Sequence, residues 1–330
     1  MRYVDVGGAR LSVIGLGTWQ FGSKEWGYGA RYAATETVAL VQRALDLGVN
    51  LIDTAEIYAS GNSERLVGGA LGDLRDEAFL ATKVWPVLPL ASVVEQRGRA
   101  SAARLGVETL DLYQVHWPNP VVPISQTMAG MRRLFEAGVV RHVGVSNFSL
   151  PRWQAAEEAY GGPVLSNQVK FSLVARRPER HLVPWATEAG RVVIAYSPLG
   201  QGLLSARYGV GHPPSGGVRR ANALFTPENL RRAEPLLDAL RKVAGDLGST
   251  PAQVALAWVI HRPNVVAIPG ASSVAQLEAN AAAADLELSA EHDARLSEAA
   301  ERFAPTRGLG AQAERFTGLL RGSREGAARQ

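Results

Sequence analysis

The stretch Leu51-Ile52-Asp53-Thr54-Ala55-Glu56-Ile57-Tyr58 has the pattern of a buried strand that runs into a loop. In an extended strand Leu51 and Asp53 lie on one face and Ile52 on the other, so a carboxylate occupies a position where an aliphatic side chain is expected. A buried acid requires a compensating cation. Taken alone, the stretch is more typical of a structural Asp and a half-buried Tyr than of a reactive site. Its interpretation therefore depends on the partners that the rest of the chain supplies.

Helix-like and strand-like segments alternate along the chain around this stretch. Helical periodicity occurs at residues 35–47, 63–71, 93–105, 124–137, 151–160 and 179–189, and two further helices precede the last strand. Apolar strand-like runs occur at residues 12–17, 49–54, 78–83, 110–116, 140–146, 163–169, 192–196 and 265–268. Continuous apolar strands separated by helices indicate a parallel sheet covered by helices. Eight of them predict a (β/α)8 TIM barrel of the α/β class.

The two ends of the chain and one connection depart from this alternation. A β-hairpin is predicted at the N-terminus, where residues 3–6 and 9–13 flank Gly7-Gly8. The connection at residues 197–226 is rich in Gly and Pro, and its length is typical of a functional lid or a disordered excursion. The tail at about residues 303–330 is polar and is expected to be mobile. No further boundary is needed, so residues 1–330 are expected to form a single barrel domain.

The composition of the 330 residues excludes several classes of protein. Without Cys, the chain has no disulfide framework, thiolate metal site or cysteine nucleophile. No apolar run reaches about 18 residues and the start lacks the pattern of a signal peptide, so we expect no membrane association and a cytoplasmic location. The net charge of +4 is modest and the arginines are scattered. This argues against binding of nucleic acid and is compatible with an anionic small ligand.

Polar residues end most of the predicted strands, where a barrel of this kind carries its chemistry. These residues are Asp53, Lys83, His116, Ser146, Asn147, Asn167, Gln168, Tyr196 and Ser197. A Lys in apolar surroundings is costly unless it is paired, and Asp53 is the expected counter-ion of Lys83. A metal site is disfavoured because Lys83 would repel a cation held by His116 and Asp53.

Tyr58 gives this ion pair a chemical use. A phenol has a reference pKa of about 10, and a proton donor that works near pH 7 benefits from a lower one. A neighbouring ammonium has this effect, and a shift of about three units requires about 4 kcal/mol of differential stabilisation. We therefore predict that Lys83 lowers the pKa of Tyr58. His116 is then a neutral donor that aims the substrate oxygen, or a second acid.

A series of short motifs accompanies these residues. They are residues 15–19 (GLGTW), 51–58 (LIDTAEIY), 81–83 (ATK), 111–118 (DLYQVHWP), 144–148 (GVSNF), 167–168 (NQ), 196–200 (YSPLG) and 268–273 (IPGASS). In this order and at barrel spacing they resemble the aldo-keto reductases, NADPH-dependent oxidoreductases with an (α/β)8 barrel. The resemblance covers about residues 3–300. It implies reduction of aldehydes or ketones by a tetrad of Asp53, Tyr58, Lys83 and His116, in which Tyr58 protonates the carbonyl oxygen.

The resemblance also implies a binding site for NADPH or NADP+. Ser146, Asn147 and Gln168 are expected to hold the nicotinamide carboxamide, and Tyr196 to stack on the nicotinamide ring. The other implied contacts nearer the first strand, the long connection and the last strand are Gly17, Thr18, Trp19, Ser197, Leu199, Gly200, Gly202, Pro269 and Gly270.

The phosphate groups of the cofactor have implied partners of their own. Arg207 is expected to pair with the pyrophosphate. Ser272, Gln276 and Asn280 match family positions that meet the adenosine 2′-phosphate and adenine at a helix N-terminus. The Lys or Arg that the family carries in this motif is absent from residues 270–272, so NADH is admitted beside NADPH.

Five aromatic residues fall just beyond strand ends or in the early loop: Trp19, Trp26, Tyr28, Trp85 and Trp117. They are expected to form the pocket for a small-molecule carbonyl substrate, with an ordinary apolar cover over the barrel as the alternative. The expected state of assembly is a monomer or a weak homo-oligomer. A second functional hypothesis is a nicotinamide-sensing regulatory subunit resembling the β subunits of potassium channels. All four tetrad positions are filled, which favours the enzyme.

Overall fold

The computed structural model describes residues 1–24, 29, 34–215 and 217–306. Trp26, Tyr28 and residues 307–330 of the tail lie outside this described part. None of the helices described is both long enough and apolar enough to cross a membrane.

The N-terminal segment forms the predicted hairpin. Strand β1 (Tyr3–Val6) pairs antiparallel with β2 (Ala9–Ser12). The turn between them contains Gly7 and Gly8 with φ values of 57° and 81°. Glycine adopts this left-handed region without steric cost, which explains the two glycines at the turn.

Eight parallel strands form a second sheet that closes on itself. They are β3 (Leu16–Gly17), β4 (Leu51–Asp53), β5 (Phe79–Val84), β6 (Leu110–Val115), β7 (Val140–Ser146), β8 (Ser166–Lys170), β9 (Val192–Tyr196) and β10 (Val265–Ala267). Strands adjacent in the chain are adjacent in the sheet, from β3 to β10. Parallel bridges between Ile14 and Ala267 and between Gly17 and Gly270 join its two edges. The predicted (β/α)8 barrel is confirmed.

Helices separate the barrel strands as the sequence predicts. The helices of the described residues are α1 (Ala34–Asp46), α2 (Asn62–Leu71), α3 (Ala91–Leu105), α4 (Ile124–Glu136), α5 (Leu150–Tyr160), α6 (Arg177–Glu188), α7 (Gly217–Ala221), α8 (Pro227–Asp246), α9 (Pro251–Ile260), α10 (Val274–Ala282) and α11 (Ala290–Arg302). Glycines with φ values of 68° and 70° follow α3 and α5 at Gly106 and Gly161. Such residues end helices because they turn the chain into the left-handed region.

The hairpin and the barrel strands share one hydrophobic core. Leu51 of β4 lies in a buried cluster with Leu112 of β6 and Ile194 of β9. Val6 and Leu11 of the hairpin belong to the same cluster. Apolar side chains thus fill the barrel at the N-terminal ends of the strands, where Leu51 lies. The polar side chains lie at the opposite, C-terminal ends.

The chain divides into two compact units. The first comprises Met1–Pro198 and Leu256–Glu287 and contains the hairpin and every barrel strand. The second comprises Leu199–Ala255 and Leu288–Gln330, and within it α8 packs against α11. The long connection contains a 3₁₀ turn at Gly200–Ser205 and the short helix α7, and so is partly regular. That residues 1–330 form one barrel domain stays a prediction.

Candidate active site

Lys83 is fully buried near the C-terminal end of β5, and oxygen atoms surround its ammonium. Nζ lies 2.6 Å from Oδ1 of Asp53 and donates to the carbonyl oxygen of Thr54 at 2.8 Å. It also lies 3.3 Å from the hydroxyl of Tyr58. Asp53 is opposite Ala81, whose side chain shares a strand face with Lys83. Adjacent strands thus bring the predicted ion pair together.

Burial affects the two charges of this pair in different ways. Burial raises the pKa of the Asp53 carboxyl, and Lys83 and Gln168 act in the opposite direction. Burial lowers the pKa of Lys83, but Asp53 and Tyr58 together outweigh it and the net pKa is raised. An ammonium has three donors and no acceptor, which matches its three oxygen neighbours.

Tyr58 begins a 3₁₀ turn, Tyr58–Gly61, that follows the loop after β4. Its backbone N–H donates to the carbonyl oxygen of Ala55 at 3.0 Å, and Lys83 Nζ lies 5.0 Å from the centroid of its ring. Burial raises the pKa of the Tyr58 phenol above its usual value, and Lys83 acts to lower it. Lys83 therefore acts in the predicted direction, but the net pKa is raised, because burial costs the phenolate more hydration than the ammonium compensates.

His116 follows β6 directly and is held by its backbone. Its N–H donates to the carbonyl oxygen of Val84 at 3.0 Å, and its own carbonyl oxygen accepts from Asn147 Nδ2 at 3.1 Å. The imidazole lies edge-on to the rings of Tyr58 and Trp85, with centroid distances of 5.9 Å and 5.3 Å. Strand β6 therefore brings His116 to the same end of the barrel as Tyr58.

The imidazole of His116 is neutral at physiological pH. Burial, and then the charge of Lys83, lowers its pKa from 6.5 to about 3. Its buried Nδ1 has no hydrogen-bond partner among the described residues. A neutral imidazole has one N–H donor and one acceptor, as the predicted role of a neutral donor requires.

Polar groups at the ends of β7, β8 and β9 form a connected network. Ser146 Oγ donates to the carbonyl oxygen of Gln168 at 2.8 Å, and Asn147 Nδ2 donates to Ser146 Oγ at 3.0 Å. The Tyr196 hydroxyl donates to Asn147 Oδ1 at 2.9 Å. Asn147 and Ser197 have φ values of 63° and 51°, a region where Asn is enriched. Four predicted carboxamide and ring contacts thus lie together.

The side chain of Gln168 has a contact that the sequence did not foresee. Its Nε2 donates to Asp53 Oδ2 at 2.7 Å, opposite the oxygen that meets Lys83. Both residues point into the barrel near the ends of their strands. The signal for this contact was present, since both are polar residues at strand ends of the same barrel.

Residues 17–19 differ in their contacts. The Thr18 hydroxyl is buried, donates to the carbonyl oxygen of Asp53 at 2.9 Å and lies 2.9 Å from Ser63 Oγ. This places Thr18 between β4 and α2. Trp19 is 46% exposed. Thr18 thus has structural contacts, while Trp19 presents a large apolar surface.

The closure of the barrel positions Pro269 and Gly270. The N–H of Gly17 donates to the carbonyl oxygen of Pro269 at 3.1 Å. Gln20 Nε2 donates to the carbonyl oxygen of Ala271 at 2.8 Å, and a Cβ on Gly270 would lie 2.7 Å from Gln20 Oε1. A side chain at residue 270 would therefore displace Gln20.

The start of α10 carries the predicted adenosine-binding residues. Ser273 is the N-cap, and its hydroxyl accepts from the N–H of Gln276 at 3.3 Å. Oε1 of Gln276 accepts from the N–H and the hydroxyl of Ser272 at 3.0 Å and 3.1 Å. Asn280 Nδ2 donates to the carbonyl oxygen of Gly270 at 3.5 Å. The structure brings these residues together around one helix end.

The other predicted cofactor residues lie in the second unit: Leu199, Gly200, Gly202 and Arg207. Gly202 has a φ of 99°, and the backbone of Gln201 accepts from Arg219 Nε at 2.8 Å. Arg207 lines a cavity of about 490 Å³ together with Arg231 and Arg241. The sequence did not single out Arg219, which contacts the turn within this unit.

The aromatic residues predicted to line a substrate pocket have different surroundings. Trp85 lies against His116, while Trp117 is 44% exposed. A further ion pair holds the backbone of Trp85. Arg97 Nε donates to Glu56 Oε2 at 2.9 Å, Arg97 Nη1 donates to the Trp85 carbonyl oxygen at 2.6 Å, and the Trp85 N–H donates to Glu56 Oε1. No local pattern relates Glu56 to a residue as far along the chain as Arg97.

These groups can perform proton transfer. A buried phenol lies beside an ammonium and a neutral imidazole, so a negative charge that forms on the phenol has a cation next to it. No group of three or more His, Asp or Glu residues in the described part is arranged to hold a metal ion.

Comparisons with known proteins agree with this geometry. The model of the Aldo/keto reductase family matches residues 13–301. An uncharacterized oxidoreductase of Mycobacterium bovis is 57% identical over 306 residues, which covers 92% of this chain and 94% of that protein. A methylglyoxal reductase of Escherichia coli is 34% identical over 294 residues, with 89% and 92% covered.

A solved structure is also similar. An aldo/keto reductase from Klebsiella pneumoniae, in complex with NADP and acetate, has a TM-score of 0.72 and 32% identity, and 93% of this chain and 98% of that chain are covered. The family match and these relatives extend over the whole barrel with its site residues. The chain belongs to the aldo/keto reductase family.

Proposed function

We propose that the protein is an NADPH-dependent oxidoreductase that reduces aldehydes or ketones to alcohols, with Tyr58 as the proton donor. The observation that carries this proposal is the 3.3 Å separation between the Tyr58 hydroxyl and Lys83 Nζ. The same Nζ lies 2.6 Å from Oδ1 of Asp53, and both side chains are buried at the C-terminal end of the barrel. A buried ion pair gives little stability for its cost, so a third contact with a phenol indicates a chemical use.

The reduction adds a hydride to the carbonyl carbon and a proton to the carbonyl oxygen. When bound, the dihydronicotinamide of NADPH supplies the hydride. Tyr58 gives its proton to the oxygen: its O–H bond breaks, the alcohol O–H bond forms and a phenolate remains. At their 3.3 Å separation and an effective dielectric constant of about 20, the attraction between the Lys83 ammonium and this phenolate is about 5 kcal/mol. Because the charge develops only as the proton leaves, this attraction favours the transition state.

Asp53 and His116 have indirect and direct roles in this scheme. Asp53 raises the pKa of Lys83 and keeps it an ammonium. The neutral imidazole of His116, edge-on to Tyr58, donates a hydrogen bond that orients the carbonyl oxygen. Because the pKa of His116 is about 3, the imidazolium is rarely populated near neutral pH. His116 therefore acts as a hydrogen-bond donor and not as the proton donor.

The chemistry of the polar groups near the tetrad fits a nicotinamide. Asn147 and Gln168 carry amides, which match the donors and acceptors of a carboxamide, and the half-buried ring of Tyr196 offers a flat surface for stacking. The Klebsiella relative binds NADP, which supports the same cofactor for this chain. Ser272, with its N–H and hydroxyl turned to Gln276, would exchange that partner for a phosphate oxygen of the adenosine. Without a Lys or Arg there, we propose NADPH as the main cofactor, with NADH also accepted.

A titration followed by a carbonyl panel tests this proposal. Tryptophan fluorescence is recorded during addition of NADPH or NADH, and oxidation of the bound cofactor is then followed with a range of aldehydes and ketones. We expect saturable binding and oxidation with at least one carbonyl. Binding of NADPH without oxidation on any member of the panel would instead favour the nicotinamide-sensing regulatory subunit.

A further inference from the structure

The turn that presents Tyr58 has an uncommon backbone conformation. Ala59, Ser60 and Gly61 follow one another with φ values of 46°, 55° and 82°. Ala59 and Ser60 have side chains, for which the left-handed region is unfavourable. Such a run persists only where its surroundings fix it. The contacts around this turn therefore determine where the Tyr58 hydroxyl lies.

A buried carboxylate just after the turn supplies two such contacts. Glu64, in the first turn of α2, is fully buried. Its Oε2 accepts from Arg104 Nε of α3 at 2.5 Å, and its Oε1 accepts from Thr82 Oγ1 of β5 at 2.6 Å. Burial raises the pKa of Glu64, while the hydrogen bonds from Thr82 and Arg104 act in the opposite direction. With both oxygens bound to other elements, Glu64 fixes α2, α3 and β5 relative to one another.

Arg104 also contacts the turn itself. Its side chain lies so close to Gly61 that a Cβ there would be 2.8 Å from Arg104 Cδ and 2.9 Å from Nε. Its Nη2 donates to Ser101 Oγ of the same helix at 3.0 Å, which orients the guanidinium. Arg104 therefore links the end of the Tyr58 turn to Glu64.

Thr82 makes the corresponding link to the ammonium. Neighbouring residues of a strand point to opposite faces, so Thr82 points toward the helices while Lys83 points into the barrel. Glu64 thus anchors β5 one residue away from Lys83, and it anchors α2 next to the turn of Tyr58. The 3.3 Å between the Tyr58 hydroxyl and Lys83 Nζ spans these two anchored segments.

We propose that Glu64 is a positioning residue: with Arg104 and Thr82 it forms a clamp that sets the distance between the Tyr58 hydroxyl and the Lys83 ammonium. The clamp acts through the turn and the strand, and not on the reacting atoms. This inference rests on the proposed function, in which Tyr58 gives the proton and Lys83 compensates the phenolate.

Two pairs of variants separate positioning from simple stabilisation. Glu64→Gln keeps the shape of the side chain and removes its charge. Thr82→Val removes only the hydroxyl, and Thr82→Ser restores it. Arg99→Gln is the control for the loss of an ion pair outside the clamp, because Arg99 lies on α3, as Arg104 does, and its pair with Glu95 is exposed.

Four quantities are measured for each variant: kcat, the KM of the carbonyl, the Kd of NADPH and the melting temperature. We expect kcat to fall about 10- to 100-fold in Glu64→Gln and Thr82→Val, because a misplacement of about 1 Å is enough for such a loss. The KM and Kd are expected to stay near their wild-type values, since the clamp binds neither ligand. Thr82→Ser and Arg99→Gln are expected to retain the wild-type kcat.

The pKa of Tyr58 gives a readout that needs no turnover. It is obtained by titrating the near-ultraviolet absorbance of each protein and subtracting the curve of the same protein that also carries Tyr58→Phe. We expect it to rise in Glu64→Gln and Thr82→Val, because the phenolate is then farther from Lys83. Unchanged kcat and Tyr58 pKa beside a lower melting temperature would show a structural role and overturn the clamp.

The same set of proteins distinguishes this outcome from failure of the proposed function. If Tyr58→Phe alone retains most of the turnover, Tyr58 is not the proton donor. Its position relative to Lys83 would then not matter for catalysis. If Tyr58→Phe is inactive and the clamp variants are normal, only the clamp is overturned. If Glu64→Gln does not fold, the comparison of Thr82→Val with Thr82→Ser decides the question.

Discussion

Lys83 and Asp53 are each strongly destabilising without the other. Both side chains are buried, at 0% and 2% exposure, and their charges meet at 2.6 Å. Removal of one partner leaves a charge without water or a counter-ion, which is far more costly than the absence of both. The two residues should therefore behave as one energetic unit.

A double-mutant cycle measures this coupling. Lys83→Met is expected to lower the free energy of unfolding by about 3–5 kcal/mol, because it leaves the Asp53 carboxylate buried and unpaired. The double variant Lys83→Met/Asp53→Leu is expected to recover much of this loss. Urea unfolding of the wild type, both single variants and the double variant gives the coupling, and strictly additive effects would contradict the pair.

His116 gives the stability of the protein a dependence on pH. The unfolded chain binds a proton at His116 below about pH 6.5, whereas the folded protein binds it only near pH 3. The contribution of the neutral His116 to stability is therefore complete above pH 6.5. It is lost as the pH falls from 6.5 toward 3, by at most about 1.4 kcal/mol per pH unit. We expect His116→Gln to remove this part of the acid sensitivity in unfolding measurements at pH 7, 5 and 4. Identical pH dependence in both proteins would contradict the lowered pKa.

At the scale of elements, the packing of α2 on α3 supports the turn of Tyr58. Gly68 and Gly69 lie side by side in α2 but meet different surroundings. A Cβ on Gly68 would lie 2.6 Å from the carbonyl carbon of Leu105 at the end of α3, while a Cβ on Gly69 would meet nothing within 4 Å. The backbone of α3 thus approaches α2 at a point that only glycine permits.

The two glycines form a matched pair for testing this contact. Gly69→Ala is expected to stabilise the protein by about 0.5–1 kcal/mol, because Ala is the better helix former. Gly68→Ala is expected to destabilise it by about 1–3 kcal/mol, because backbone atoms of α3 must move. Chemical denaturation reports both values, and equal stabilisation by the two substitutions would show that α2 and α3 are not in this close contact.

At the scale of the whole molecule, the barrel was predictable because its signals are local. Apolar runs such as residues 192–196 and helices closed by glycines such as Gly106 are read within a few residues. The meeting of Lys83 with Asp53 followed from the rule that strand ends converge. The partners of Glu56 and Glu64 were not predictable, because Arg97 and Arg104 lie about 40 residues away and no period relates them. The direction of the Tyr58 pKa depended on burial, which a motif does not report.

The proposed activity depends on the whole barrel delivering one phenol to one ammonium, so the most direct test is Tyr58→Phe. This variant removes a single oxygen and leaves the ring that lies beside His116 and Lys83. We expect kcat for carbonyl reduction to fall about 100- to 10,000-fold, the contribution typical of a general acid, while the Kd of NADPH from fluorescence titration stays close to that of the wild type. A folded Tyr58→Phe protein that loses only a few-fold in kcat would contradict the assignment of Tyr58 as the proton donor.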